Sequence, residues 1–193
     1  MAVRKIIQLG HSLLKKKNKR VMKVSSIKTK KLLRNLKDTM RKTGLIGIAA
    51  PQIAENQMVF ITEPRKTKNR KGQSDKLRIY INPKLVFKSK IENIIYEGCG
   101  SVVDGELFGP VKRPAEIEVE ATDENNRKFR LRCNGILARV IQHEYDHLMG
   151  VEFIDKVGDC QKLLVGKYYR KNIRNSKAQR KNSLVTKLQY SLK

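Results

Sequence analysis

His143-Glu144-Tyr145-Asp146-His147 is the stretch that decides the fold, because it places two histidines four residues apart within a helix. The apolar spacing predicts that helix from Asn134 to Met149, with Gly150 placed to end it. Histidines at this spacing lie one above the other on a helix face, so both imidazoles can bind one metal ion. Glu144 lies beside them, where a carboxylate can take a proton from water bound to that ion. A chance match on a polar helix face is the alternative, but two of the chain's 3 histidines are here, and we predict a metal site.

A catalytic metal site needs a third protein ligand and an open coordination position. Cys99 is a candidate because Gly98 and Gly100 flank it, and glycine permits the close backbone approach that a ligand loop needs. The alternative for a lone cysteine is a small buried hydrophobic residue, which is our interpretation of Cys133 and Cys160. A carboxylate also remains open as the third ligand. One thiolate with two imidazoles would suit zinc or ferrous iron.

Hydrolysis of a carbonyl compound also requires hydrogen-bond donors for the oxyanion that develops. Gln52 ends a passage of small residues, Gly44 to Gln52, and its side-chain amide is one candidate donor. An ordinary polar loop residue is the alternative, which composition alone favours. The backbone N–H of Gly100, next to Cys99, is a second candidate.

The remaining pattern predicts an α+β fold, with strands clustered first and a helix late in the chain. Ser25 or Ser26 is placed to cap a helix that runs to Thr43. Beyond Lys156 we expect a basic helix to about Asn175 and then a frayed tail. Apolar runs and alternation predict strands at residues 58–62, 77–81, 84–87, 116–122 and 127–133, with a polar loop at 63–76.

The net charge of +25 is concentrated at the two ends of the chain. Residues 1–42 carry fifteen Lys and Arg against one acid, and residues 156–193 carry eleven against one, whereas residues 43–155 are nearly neutral. Dense basic segments gain affinity for nucleic acid by releasing counterions from phosphates. The alternative is that these lysine-rich faces only keep the protein soluble.

Cysteine content and hydropathy bear on the compartment. The 3 cysteines are irregularly spaced, which argues against a disulfide framework and for a reducing environment. No apolar run is long enough to span a bilayer, and the N-terminus lacks the features of a secretory signal. We therefore expect a cytoplasmic protein with no membrane partner.

Three motifs occur together in the order seen in peptide deformylases. They are Gly47-Ile48-Ala49-Ala50-Pro51-Gln52, Glu97-Gly98-Cys99-Gly100-Ser101 and the histidine stretch at 143–147. The chain resembles this family over residues 3–156. The resemblance implies antiparallel sheets around a central helix that carries the histidines, with N-terminal and C-terminal helices. It implies a catalytic domain, residues 1–156, followed by a basic C-terminal helix and tail, residues 157–193.

The resemblance also implies a role for each matching residue. One divalent ion, Fe²⁺ with Zn²⁺ or Ni²⁺ as alternatives, would be bound by Cys99, His143 and His147. Glu144 would be the general acid/base, and the oxyanion donors would be Gln52 and the N–H of Gly100. The substrate-binding positions would be Leu45, Ile46, Gly47 and Val140. The implied reaction removes the formyl group from the formyl-methionine of nascent proteins, and a basic C-terminal helix is a ribosome-facing feature in some relatives.

The chain departs from the family's pattern at several positions near these motifs. Leu45 stands where glycine is usual, and Gly100 stands where leucine most often follows the cysteine. Val102-Val103 replaces a common Ile/Val-Pro, and Glu106 falls near an arginine that steadies the substrate backbone in many bacterial members. Two alternatives therefore stay open: a related metallohydrolase with another N-acyl substrate, and a ribosome- or RNA-binding protein without activity. The complete set of ligand and catalytic residues argues against the second.

Overall fold

The computed structural model describes residues 3–65 and 74–193. Its four helices are α1 (Ile27–Thr43), α2 (Gly135–Leu148), α3 (Gly166–Asn172) and α4 (Lys177–Ser183). Its strands are β1 (Gly47–Ala49), β2 (Val59–Thr62), β3 (Arg78–Lys88), β4 (Glu92–Gly98), β5 (Leu107–Pro114), β6 (Glu116–Thr122), β7 (Lys128–Asn134), β8 (Leu164–Val165) and β9 (Leu188–Leu192). Helices and antiparallel strands are thus mixed, as an α+β fold requires.

The strands form two antiparallel sheets. The larger has the order β1-β2-β3-β6-β7-β9, and the smaller has the order β4-β5-β8. Helix α2 packs on one face of the larger sheet, where its Leu137 and Ile141 meet Phe60 and Tyr80. Alternate strand residues point to the opposite face, where Ile61 and its neighbours pack against α1. The histidine-bearing helix is therefore central, with a sheet and then α1 on one side of it.

The two long helices begin and end where the sequence predicts. The Ser26 side chain accepts a hydrogen bond from the N–H of Thr29, which caps the start of α1. Gly150 follows α2 with a φ of +76°, and a Cβ there would lie 2.6 Å from the carbonyl oxygen of Lys15. Only glycine combines that backbone conformation with that close approach.

The prediction of two short strands on either side of Asn82-Pro83 is wrong, because β3 runs through both residues. Asn82 adopts a φ of +50°, and its side chain bonds both the N–H and the C=O of Val21. The pairing of β3 with β6 shifts register between Ile81 and Lys84. A bulge at this place tolerates a proline, which has no N–H to donate to the ladder.

The prediction of one C-terminal helix followed by a frayed tail is also wrong. Two short helices, α3 and α4, replace the single helix, and β9 pairs with β7 from Phe129↔Leu192 to Cys133↔Leu188. The tail thus forms the outer strand of the larger sheet. The loop predicted at 63–76 lies in part outside the described residues, and Glu63 and Pro64 at its start lie outside strands.

Candidate metal centre and active-site cleft

Helix α2 carries His143, Glu144 and His147 into the interior. The two imidazole rings lie 5.1 Å apart between centroids, at an interplanar angle of 75°. His147 is 1% exposed and Glu144 is 4% exposed, so water reaches neither side chain freely. The helical period therefore places both rings on one buried side of the helix, as the spacing predicts.

Strand β4 ends beside this helix, and Cys99 directly follows its last residue. The Cys99 sulfur lies 3.2 Å from Nε2 of His147. Ligand atoms of Cys99, His143 and His147 all lie within 4.8 Å of one another, and among the described residues this is the group that could hold a metal ion. Of the two kinds of third ligand that the sequence left open, a cysteine and a carboxylate, the fold brings the cysteine into this group.

The chemistry of these three donors fits a divalent ion. Burial lowers the pKa of His147 well below its usual value, which keeps its imidazole neutral and its Nε2 lone pair available. Its Nδ1 is buried and has no hydrogen-bond partner among the described residues. Burial lowers the pKa of His143, but its hydrogen bonds with Cys99 and Glu97 outweigh burial and raise the pKa well above its usual value, so a metal ion would bind in place of that proton. One sulfur and two imidazoles would then leave one coordination position open, as a catalytic site requires.

Glu97 orients His143 from the opposite side. Its Oε2 lies 2.9 Å from Nδ1 of His143, and it also accepts hydrogen bonds from Arg113 and Arg139. Burial alone would raise the pKa of Glu97, but Arg113 and the hydrogen bond with His143 outweigh it and hold the pKa far below its usual value. A carboxylate on Nδ1 fixes the tautomer that leaves Nε2 to bind metal.

Sequence reasoning did not assign Glu97 a role. Glu97 lies in β4 two positions before Cys99, which directly follows the last residue of the strand, and both side chains are buried. The spacing of two residues between Glu97 and Cys99 could have indicated this role, because residues two apart in an extended segment point to the same side. Its arginine partners come from β5 and α2, which no local pattern reveals.

The Glu144 carboxylate lies against β1. A Cβ on Gly47 would be 2.5 Å from Oε1 of Glu144 and 2.5 Å from a methyl group of Val140, so glycine is needed at this crossing. Oε2 of Glu144 is buried and has no hydrogen-bond partner among the described residues. Burial raises the pKa of Glu144 to about 7, which suits a group that exchanges protons near neutral pH.

Gln52 has a fixed orientation next to the cysteine. Its Oε1 accepts a hydrogen bond from the N–H of Ala49 at 2.8 Å, which turns its amide nitrogen toward Cys99, 3.5 Å from the sulfur, and toward Ser101 Oγ at 3.3 Å. An ordinary loop residue would be solvated, but Gln52 is 2% exposed.

The N-terminal segment ties Gln52 to the cysteine passage. The N–H of Ile7 donates to the carbonyl of Gln52, and the N–H of Leu9 donates to the carbonyl of Ser101. Between them, the Gln8 side chain donates to the carbonyl of Gly100 at 2.9 Å. This bridging role of Gln8 is a second feature that the sequence analysis missed.

Comparison with known proteins decides the family. The family model described as polypeptide deformylase matches residues 3–163. The chain is similar to the peptide deformylase of Pseudothermotoga lettingae, at 36% identity over 174 residues that cover 90% of this chain and 94% of that protein. It is also similar to peptide deformylase 2 of Clostridium perfringens, at 36% identity over 164 residues, 85% of this chain and 99% of the relative.

The chain belongs to the polypeptide deformylase family. Among solved structures, the deformylase of Synechococcus elongatus in complex with actinonin superposes with a TM-score of 0.73 at 31% identity, over 84% of this chain and 82% of that one. The Thermotoga maritima deformylase gives 0.72 at 28% identity, over 82% and 100%. The predicted deformylase fold and the predicted enzyme class, a hydrolase that removes N-formyl groups, are confirmed.

A cleft of about 1030 Å³ opens onto this deformylase centre. Its walls include the four substrate positions that the resemblance implies, together with Gln52, Cys99, Gly100, His143 and Glu144. Strand β1 is at the edge of the larger sheet, so its side away from β2 is unpaired in that sheet. Two of the departures from the family pattern, Leu45 and Gly100, lie in contact with each other at this cleft.

Helices α3 and α4 form the outer wall of the same cleft. Residues from Tyr169 to Leu184 line it, among them three arginines, Arg170, Arg174 and Arg180. Glu106, one of the positions singled out in the sequence, accepts two hydrogen bonds from Arg170 at 2.8 and 2.9 Å. A guanidinium from the C-terminal segment is thus present beside this glutamate.

Proposed function

We propose that this deformylase releases formate from the formyl-methionine of nascent proteins at the centre formed by Cys99, His143, His147 and Glu144. One observation carries the proposal: the Cys99 sulfur and the two helix-borne imidazoles lie within 4.8 Å of one another, beside a buried carboxylate. No other chemistry of the described residues combines a ligand set with an unpartnered acid in this way.

Cys99, His143 and His147 would hold one divalent ion, and we propose Fe²⁺, with Zn²⁺ or Ni²⁺ able to replace it. When bound, such an ion lowers the pKa of water and polarises a carbonyl. Glu97 holds His143 in the tautomer that presents Nε2. His147, whose pKa burial lowers well below its usual value, presents its own Nε2 toward the Cys99 sulfur.

Glu144 would move the protons of the reaction. It takes a proton from the attacking water and later gives one to the leaving amine, and both transfers are favoured when the pKa of the group is near the working pH. Its pKa of about 7 follows from its burial against Gly47 and Val140. The Gln52 amide and the N–H of Gly100 would donate to the oxyanion that develops on the formyl oxygen.

The peptide would bind along the unpaired edge of β1. A substrate in extended conformation can hydrogen-bond with Ile46 and Gly47 as an added strand. The missing side chain at Gly47 lets the peptide and the Glu144 carboxylate approach the same point. Val140 and Leu45 would supply apolar contact for the methionine side chain, since both line the cleft.

The basic ends would hold the enzyme at the ribosome. We place the catalytic domain at residues 1–156, and residues 157–193 extend it with a basic segment whose strand β9 joins the larger sheet. The exposed side of α1 supports a contact with ribosomal RNA, because Lys30, Lys31 and Arg34 have no ion pair among the described residues. Binding to ribosomes should weaken by orders of magnitude between about 50 and 200 mM salt. Binding that ignores salt contradicts this contact.

The state of the cysteines supports the proposed cytoplasmic location. Cys99, Cys133 and Cys160 are all free thiols, which supports a reducing, cytoplasmic location. None of the helices among the described residues is both long enough and apolar enough to span a membrane.

The test is hydrolysis of formyl-Met-Ala-Ser by protein purified without oxygen and loaded with Fe²⁺, with formate measured directly. Acetyl-Met-Ala-Ser under the same conditions reports whether the enzyme accepts another N-acyl group. Glu144→Ala should keep its metal and lose about 10²- to 10⁴-fold in rate. Glu124→Ala, in an exposed turn, is the control and should keep the rate. No formate from the formyl peptide, with metal bound, contradicts the proposed function.

A further inference from the structure

The cleft is larger than a formyl-methionine needs. Besides Cys99 and His143, its walls include Arg174 and Arg180 of the C-terminal segment. Its volume of about 1030 Å³ is at the upper limit of ordinary small-ligand sites, which occupy roughly 300–1,000 Å³. Several residues of an extended peptide can therefore lie inside it, each adding about 3.3–3.6 Å.

The outer wall is fixed to the catalytic sheets. The side chain of Gln179 in α4 accepts from the N–H of Tyr96 at 3.0 Å and donates to its carbonyl at 3.1 Å. The ring of Tyr169 in α3 stacks on Phe108 with centroids 4.0 Å apart. Because Gln179 occupies the outer edge of β4 at Tyr96, a peptide that leaves the metal centre cannot pair with β4 there. The open wall beside it is formed by α3 and α4.

The charge on this wall is one-sided. Residues 166–183 carry seven Lys and Arg and no acid. Two cleft arginines have carboxylate partners, Arg139 with Glu97 and Arg170 with Glu106. Arg174 and Arg180 line the cleft, yet neither has a carboxylate within ion-pair distance among the described residues. Arg174 is also half-buried, which strengthens its attraction for an anion relative to an exposed cation.

We propose that Arg174 and Arg180 bind an acidic side chain of the substrate several residues after the formyl-methionine. The enzyme would then deformylate proteins with Asp or Glu early in the chain faster than proteins without them. This inference rests on the proposed function, since it names the substrates that the same cleft favours. It does not concern the reacting atoms, so both arginines are specificity residues.

The experiment uses amidated N-formyl hexapeptides based on formyl-Met-Ala-Ser-Ala-Ala-Ala. One Asp is moved through positions 3 to 6, and each peptide is paired with its Asn counterpart. The amide end removes the terminal carboxylate as a competing anion. At low salt, kcat/KM for Asp should exceed that for Asn by about two- to five-fold at one or two positions, the range of a solvent-accessible ion pair.

Matched variants assign the effect to the cleft. The double variant Arg174→Gln, Arg180→Gln should bring the Asp-to-Asn ratio to one, chiefly by lowering kcat/KM of the Asp peptides. The control Lys171→Gln, Lys177→Gln removes the same charge from exposed positions of the same segment outside the cleft, and should keep the wild-type ratio. Affinity for the deformylated Asp and Asn peptides, measured by fluorescence anisotropy, gives the same comparison without turnover.

The outcomes separate this inference from the proposed function. A ratio of one at every position, or an equal loss in the lysine control, overturns the inference while deformylation stands. If the wild-type ratio is one and the arginine variant loses ribosome binding, the two arginines serve RNA binding and the inference is also overturned. If no formyl peptide reacts, the proposed function fails, and the anisotropy comparison still decides whether the cleft prefers an acid.

Discussion

The Leu45 side chain lies directly over Gly100. A Cβ built on Gly100 would be 3.0 Å from Cδ1 of Leu45 and 3.4 Å from Cδ1 of Ile6. Leucine most often follows the cysteine in this family, and here that leucine is missing while another enters the same space from position 45. The two departures from the family pattern therefore compensate each other, and the apolar lining beside Cys99 is kept.

This compensation predicts strong coupling between the two positions. Gly100→Leu should lower the melting temperature and kcat/KM for formyl-Met-Ala-Ser, because two leucines would compete for one space. Leu45→Gly alone should also lower both, since it leaves a gap beside the ligand cysteine. The double variant should recover much of each loss, with a coupling of about 0.5–3 kcal/mol in the thermal unfolding data. Additive losses would contradict the compensation.

Glu97 should control both metal affinity and stability. Glu97→Gln leaves Arg113 and Arg139 buried without their full counter-charge, which costs about 3–5 kcal/mol of unfolding free energy. It also removes the carboxylate that hydrogen-bonds Nδ1 of His143, and loss of such a partner of a metal-binding histidine typically costs about 10- to 100-fold in metal affinity. Urea unfolding measures the first effect, and competition with a chromophoric chelator measures the second.

The control for this variant lies on the same strand. Glu92→Gln removes an exposed partner of Lys112 and should change the unfolding free energy by about 0.5 kcal/mol or less. If Glu97→Gln binds metal as tightly as the wild type, the carboxylate does not orient His143.

The sequence predicted those parts of the site that depend on local geometry. Two histidines four apart on an amphipathic helix must share a face, so His143 and His147 could be paired without a structure. Cys99 was only one candidate third ligand, because its approach depends on how β4 ends beside α2. Glu97 and Gln8 act through partners distant in sequence, and no periodicity carries that information.

The fold was predictable to a similar extent. The long elements α1 and α2 follow their caps and apolar faces. The break expected at Asn82-Pro83 does not occur in β3, because the Asn82 side chain hydrogen-bonds with the backbone of Val21 and fixes the strand at the bulge. The C-terminal strand β9 alternates apolar and polar residues, as a strand does, but it is exposed along its whole length, and its pairing with the edge of β7 depends on a contact distant in sequence.

Glu63 should make stability depend on pH in the acid range. The hydrogen bond from Arg41 holds the pKa of Glu63 below its usual 4.5, against the opposing effect of burial, and Arg65 acts in the same direction. A carboxyl whose pKa is lower in the folded state stabilises fully above its unfolded pKa, and this contribution is lost as the pH falls through the folded pKa.

Glu63→Gln should therefore have a lower unfolding free energy than the wild type at pH 7. This difference should shrink below pH 4, where the wild-type carboxyl is also neutral. We expect a difference from the wild type of about 1 kcal/mol or less at pH 7, because Arg41 is half-exposed. Urea unfolding at several pH values between 7 and 3 measures it, with Glu124→Gln in an exposed turn as the control. A difference that grows toward low pH would have the wrong sign and would refute the assignment.

Strand β9 should stabilise the fold without serving the chemistry. Tyr190 stacks on Phe129 with ring centroids 5.4 Å apart, and no residue of β9 lines the active-site cleft. Tyr190→Ala should lower the unfolding free energy by about 1 kcal/mol, the range of an aromatic pair, and leave kcat/KM of the folded protein unchanged. Gln189→Ala, its neighbour on the same strand, is the matched control and should stay within about 0.5 kcal/mol of the wild type.

Amide exchange in β7 should quicken when residues 187–193 are removed, because the outer edge of β7 loses its partner strand β9. Unchanged protection of β7 in that truncation would show that the tail is frayed in solution.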